Sequence, residues 1–100
     1  QAPENYDDKT VKKKWKEETP AMLNEIVELF KSLNDWNAAA VKDEFSNFMN
    51  AKGWGFGVIM APIRLALVGS AQGADLFDIF EIIGKDETIS RIEKAVAAIK

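Results

Sequence analysis

The sequence contains neither cysteine nor histidine. Without cysteine there is no disulfide framework and no thiolate nucleophile. Without histidine, nearly every zinc site and the usual catalytic triads and dyads are lost. The expectation is a chain with no catalytic residue and no metal ligand of its own. No apolar run reaches the ~18 residues a membrane span needs, so no membrane partner is expected. No secretory signal segment is visible, and the cytoplasm is the expected compartment. Strand-like alternation, repeats and low-complexity tracts are missing too. Charge is scarce in one place in particular: from Gly53 to Ala74 the only charged side chain is Arg64.

What remains is compact and apolar. The 100 residues are 47% hydrophobic, enough for one core in one small domain or one piece of a larger protein. Gln1 is not a natural start, so an excised fragment, monomeric by itself, is expected. The net charge of −3 argues mildly against nucleic acid, because phosphate binding wants a basic face. Its distribution argues the other way. Lys9, Lys12, Lys13, Lys14 and Lys16 cluster with no acid among them, and local charge rather than the total decides binding.

Periodicity predicts six helices. Asp7 or Asp8 can cap a short one reaching about Glu18, with Val11 and Trp15 as its apolar stripe. Thr19-Pro20 restarts the chain, with Thr19 as cap and Pro20 at the first helical position. Leu23, Ile26, Val27, Phe30 and Leu33 then recur at helical spacing. Asn37 caps a third helix carrying Val41, Phe45, Phe48 and Met49, which Gly53 ends. After a Trp54-Gly55-Phe56-Gly57 connector, a helix from about Val58 to Val68 is apolar on every side but Arg64 and should be buried. Pro62 should bend it or mark its true first turn. Gly69 ends it, and Asp75 caps Leu76 to Ile83, where only Asp78 and Glu81 are left for solvent. Gly84 closes that helix, and Asp86 caps the last, whose stripe is Ile89, Ile92, Val96 and Ile99. The fold class is all-α, a compact bundle or cage of about six short helices.

Several groups could carry function, each beside a plainer reading. A buried, unpaired guanidinium is very costly, so Arg64 must meet an acid such as Asp75 or Asp78, or a surface where a ligand reaches it. Composition alone favours the salt bridge. The glycine-punctuated stretch from Gly69 to Leu76 is an ordinary interhelical turn, and also a place where main chain can approach a base closely. The lysines form a solvated helix face in the commoner case, and phosphate contacts in the other. Trp54 and Phe56, lying between glycines, suit a core or lid better than base stacking. The pairs Asp7-Asp8, Asp43-Glu44 and Asp86-Glu87 fall at or near expected helix starts, where acids complement the dipole. They make no catalytic or metal pair.

Three words in order carry a resemblance. They are Ala61-Pro62-Ile63-Arg64-Leu65-Ala66-Leu67-Val68-Gly69, then Gly73-Ala74-Asp75-Leu76-Phe77-Asp78, then Ile83-Gly84-Lys85-Asp86-Glu87. With the lead-in Tyr6-Asp7-Asp8-Lys9 and the lysines around Trp15, nearly the whole chain resembles the C-terminal end of bacterial glutamyl-tRNA synthetases. There the words run roughly P-L-R-x-A-L-T-G, x-G-P-x-L-F-E and L-G-K-E-E. The resemblance implies one C-terminal anticodon-binding domain of the class I synthetase type over residues 1–100. Its expected partners are a glutamate-specific tRNA, met at the anticodon loop, and the N-terminal catalytic domain of the same chain. That parent would ligate glutamate to its tRNA using ATP and Mg²⁺. The motifs of that catalytic domain are not in these residues, so no cofactor is expected here.

The resemblance also implies site residues. Arg64 occupies the position whose guanidinium contacts the first two anticodon bases, by hydrogen bonds or by stacking beneath a splayed base. Gly73, Ala74 and Leu76 occupy positions that touch the same bases, largely through main chain, with an apolar contact from the leucine. Lys12, Lys13 and Lys16 would meet the RNA backbone, which positions without choosing sequence. Two departures stand out: Ala74 replaces a usual proline, and Val58 replaces a frequent lysine. The rival reading from another class is a helical protein–protein module without RNA, which the acidic net charge favours slightly. A membrane-surface helix is a poor fit, because the lysine-rich helix has too narrow an apolar stripe.

Overall fold

Short-range capping sets most of the helix boundaries, and side chains from distant helices close the rest. The computed structural model describes Tyr6, residues 8–69 and residues 75–99. Among these are six helices and no strand: α1 (Asp8–Lys14), α2 (Thr19–Ser32), α3 (Ala38–Lys52), α4 (Phe56–Val68), α5 (Leu76–Ile83) and α6 (Lys85–Ala98).

The caps at Asn37 and Asp75 are as the sequence suggests. The Asn37 side chain accepts from the Ala40 N–H at 2.9 Å, and one Asp75 carboxylate oxygen accepts from the Phe77 and Asp78 N–H groups at 2.9 and 3.3 Å. Gly53 and Gly69 end α3 and α4 with φ of 72° and 84°, the left-handed conformation that releases a chain from a helix at least cost.

Four boundaries differ from the expected ones. α1 stops at Lys14, because the next turn is drawn off the helix: the Lys16 N–H donates to the Thr19 hydroxyl at 2.8 Å. With its oxygen so engaged and its side chain buried, Thr19 is the first helical residue of α2, and Glu18 stands at the cap position without a side-chain bond. α4 begins two residues early, at Phe56, leaving Pro62 inside it; the missing N–H of that proline deprives the Val58 carbonyl of its ordinary donor. α6 starts at Lys85 straight after Gly84, so Asp86 lies in its first turn rather than at the cap. Asp43 and Glu44 fall in the second turn of α3, exposed.

The core draws on every helix. Leu23, Ile26 and Phe30 of α2 meet Val41, Phe45 and Met49 of α3, Ile59, Ile63, Leu65 and Leu67 of α4, Phe80 of α5 and Ile92 of α6. Phe30 lies 5.3 Å from Trp36 and 5.4 Å from Phe80, both edge-on, and Phe77 stands edge-on to Phe45 and Phe80. Such edge contacts add about 0.5–1.5 kcal/mol each beyond area burial. Trp54 is half-buried and edge-on to Phe48, with the Lys52 ammonium over both rings, whereas Phe56 stays 41% exposed.

Side chains far away in sequence finish the helix ends. The Glu81 carboxylate accepts from the Ala38 N–H at the start of α3 (2.7 Å), and the Trp36 indole donates to the Phe80 carbonyl (2.7 Å). Lys85 donates to the carbonyls of Lys31 and Leu33, closing α2. The first and last turns of a helix leave four unpaired groups each, and these contacts satisfy some of them while fixing how the helices sit together.

Candidate nucleic-acid interface

α4 threads the candidate residues together. α1, α2 and α6 pack against it, and Ile59, Ile63, Leu65, Ala66 and Leu67 are fully buried there. Its outward stripe is Gly57, Ala61, Arg64 and Val68, spaced by four, three and four, which puts them on one helical face. Gly57 and Val68 are exposed, Ala61 and Arg64 half-buried. Arg64 is thus the polar member of a mostly apolar surface stripe, and it is not without a partner there.

The stripe ends on a firm anchor. The Gly69 N–H bonds the Leu65 carbonyl at 2.8 Å. Arg91 of α6, only 7% exposed, donates through Nη1 to the Leu67 carbonyl at 2.8 Å and through Nε to Glu87 at 2.7 Å. The glycine-punctuated segment leaves from this point. Gly73 and Ala74 lie outside the described residues. The chain resumes at Asp75, whose cap starts α5. Leu76 follows, 1% exposed: the whole residue is packed inside the domain, so the apolar contact expected of its side chain is not offered at the surface.

At the other end of the stripe, α1 and the α1–α2 connection meet the first turn of α4. Lys13, Lys14, Lys16 and Glu18 with Gly57 and Val58 line an open cavity of about 260 Å³. Lys12 is exposed on α1 but does not line it. A second cleft, about 370 Å³ between the end of α2 and α3, carries Asp35, Asp43 and Glu44 and would repel phosphate. Among the described residues no group of three histidines, cysteines or carboxylates could hold a metal ion, and no helix is long and apolar enough to cross a membrane.

A family model described as an anticodon binding domain matches residues 1–96. The chain belongs to the anticodon-binding domain family. Its relatives include the glutamate–tRNA ligase of Flavobacterium johnsoniae, 44% identical over 99 residues, and that of Porphyromonas gingivalis, 43% identical over 98. Those matches cover 99% and 98% of this chain but 20% and 19% of the relatives, so the chain spans about a fifth of their length.

Solved structures agree. A glutamate tRNA ligase from Elizabethkingia meningosepticum, in complex with its amino acid, superposes with a TM-score of 0.94 at 45% identity, over 100% of this chain and 20% of that one. The glutamate–tRNA synthetase of Elizabethkingia anophelis gives 0.82 at 42%, over 97% and 18%. The helical anticodon-binding fold expected from the sequence is therefore the fold observed.

Within this anticodon-binding domain, sequence reasoning singled out Arg64 and the lysines but missed Arg91. The one local trace of Arg91 is Glu87 four residues before it, an i,i+4 pair. Its bond to Leu67 spans 24 residues and leaves no trace in the sequence pattern. Lys14, named in the lysine cluster but not among the expected site residues, lines the basic cavity together with Gly57.

Proposed function

We propose that this domain reads the anticodon of a glutamate-specific tRNA on behalf of a glutamate–tRNA ligase. The observation that carries the proposal is the similarity, above 40% identity, of almost the whole chain to ligases of that name. On this reading the 100 residues are the C-terminal domain of the parent. Glutamate activation with ATP and Mg²⁺ takes place in its N-terminal catalytic domain, in the cytoplasm. This domain contributes selection: docking the right anticodon places the right tRNA on that catalytic site.

Arg64 supplies a planar fork of donors on a helix face otherwise without charge, suited to bases splayed from an anticodon loop. The resemblance assigns the main chain at Gly73 and Ala74 a contact with the same bases, and Leu76 underpins that segment from the core. A wrong base leaves polar groups unpaired, at about 1–3 kcal/mol each. Family membership favours this over a protein-only helical module, whose support was the net charge.

The test is an NMR titration of the chain with a glutamate-tRNA anticodon stem-loop, beside Arg64→Ala and beside stem-loops altered at the first and second anticodon positions. Shifts centred on Arg64 and Gly73 to Leu76, absent in the variant and with the altered loops, are expected. Equal shifts with every loop would defeat the reading.

A further inference from the structure

Arg91 stands where stability alone does not explain it. It is 7% exposed, and burying a charge is costly unless it is paired and hydrogen-bonded. Its Nε donates to Glu87, four residues back on α6, at 2.7 Å, and its Nη1 donates to the Leu67 carbonyl on α4 at 2.8 Å. The Glu87 pair fixes the plane of the guanidinium, and a rigid fork held in one plane sends Nη1 in one direction. α4 has no basic residue in its own last turn, where carbonyls without helical donors gather negative charge. α6 supplies the cation from outside the helix.

The turn so held is the one that carries Arg64. Leu67 is three residues on from Arg64, about 4.5 Å along the axis. Pro62 lies two residues before Arg64 and cannot donate to the Val58 carbonyl, so one of the ladder bonds tying this turn to the first half of α4 is missing. Ile63, Leu65, Ala66 and Leu67 are buried, but apolar burial is non-directional and resists a small rotation of the turn only weakly. Just past Leu67 the helix ends, where Gly69 leaves it with φ of 84°. The Arg64 turn thus has a weakened tie on one side and a helix end on the other, and Arg91 brings it a directional contact from α6.

We propose that Arg91 is a positioning residue for anticodon reading: through the Leu67 carbonyl it holds the last turns of α4 in the orientation from which Arg64 tells one base from another. This rests on the base-reading role of Arg64 proposed above. Hydrogen bonds weaken steeply once their angles are lost, so a small rotation of the turn erases the advantage of the right base over the wrong one. Phosphate contacts carry no base information and are untouched by it. Loss of Arg91 therefore lowers discrimination and leaves the binding of wrong loops little changed.

The test compares the chain with Arg91→Met, Arg91→Lys, Glu87→Gln, Arg64→Ala and Ile92→Val. Ile92 follows Arg91 in sequence and is fully buried, so its truncation lowers stability without removing the bond to Leu67. Two readouts are taken under conditions where each protein is folded. Backbone N–H residual dipolar couplings report the orientation of residues 63–68 against α2 and α6. Fluorescence anisotropy gives affinities for labelled glutamate-tRNA anticodon stem-loops, cognate and altered at the first and second anticodon positions. Arg91→Met should reorient residues 63–68 and lower the cognate-to-altered affinity ratio by about tenfold, the equivalent of one hydrogen bond to a charged group. Arg91→Lys should restore part of both. Glu87→Gln keeps a neutral acceptor for Nε and should move both readouts the same way by less; where Arg91→Met does not fold, Glu87→Gln decides. Ile92→Val should change neither. Unchanged couplings on loss of the Arg91 bond, or an equal loss of discrimination in Ile92→Val, would overturn the proposal. An unchanged ratio in Arg91→Met while Arg64→Ala still lowers it would overturn it too, and anticodon reading would stand. If Arg64→Ala leaves the ratio unchanged, or the unaltered chain binds no loop, the base-reading role falls and the positioning role with it.

Discussion

The guanidinium of Arg91 donates to the carbonyl of Leu67 at 2.8 Å across 24 residues of sequence, from α6 to the last turn of α4. Leu67 is three residues past Arg64 and two before Gly69, so this single bond fixes the end of the helix from which the chain leaves towards Gly73 and Ala74. Glu87 holds the other edge of the same guanidinium.

Arg91→Met should therefore destabilise the domain by about 1–3 kcal/mol, the cost of leaving a buried carbonyl without its donor and Glu87 without its partner. Arg91→Lys should recover part of that stability, since an ammonium can reach one acceptor but not both in the same fork. Urea denaturation midpoints of the three proteins check the order. Equal midpoints for Met and Arg would show that the bond contributes nothing.

Asp75 is the first described residue after the segment that contains Gly73 and Ala74. Its carboxylate takes two N–H groups at the start of α5. Asp75→Ala should cost about 1 kcal/mol of stability, and Asp75→Asn much less, because the amide oxygen can still cap. Hydrogen exchange at the Phe77 and Asp78 amides should quicken in the alanine variant. Unchanged exchange there would mean that the cap does not secure the helix start.

Tyr6 packs against the core, and its hydroxyl is buried with no hydrogen-bond partner among the described residues. Burial raises its pKa above the ordinary 10.0, since the phenolate is the form that desolvation disfavours. The folded chain then holds the proton more tightly than the unfolded one. The contribution to stability is present below the unfolded pKa and is lost as pH rises through the folded value, in the alkaline range above 10. Tyr6→Phe should remove that part of the alkaline destabilisation and leave stability at neutral pH equal or higher, because an unsatisfied buried hydroxyl disappears. Unfolding curves at neutral pH and above pH 10 for both proteins would decide, and a variant that is less stable at neutral pH would show that the hydroxyl has a partner after all.

What could be read from the sequence was local. The stops at Gly53 and Gly69 and the caps at Asn37 and Asp75 each depend on a few consecutive residues, so their spacing predicts them. The expected Thr19 and Asp86 caps gave way to equally local competitors. The Thr19 hydroxyl accepts from Lys16 instead, and Gly84 itself stands at the α6 cap.

The α5 stripe shows a different limit. Six of its eight residues are apolar, more than one buried face can hold, and Ile82 is left 80% exposed. Composition shows that something must face out, but only the packing against α3 and α6 decides which. Of the site, Arg64 was legible because a lone charge on an apolar helix is conspicuous. The anchoring bonds from Arg91, Lys85 and Glu81 were not, because each joins helices 24 to 54 residues apart, and no periodicity records a pairing between helices.

Gly84 is at once the last word of α5 and the first of α6. Its φ of 87° and ψ of 166° fall in a region essentially reserved for glycine, so the corner has neither a spare residue nor a substitute for the one it has. One inserted residue would turn α6 by about 100° on its axis, swinging Arg91 off the Leu67 carbonyl and releasing the far end of α4. Length variation at this corner is therefore a change to the outward face of α4 that carries Arg64, although the corner itself lies on other helices.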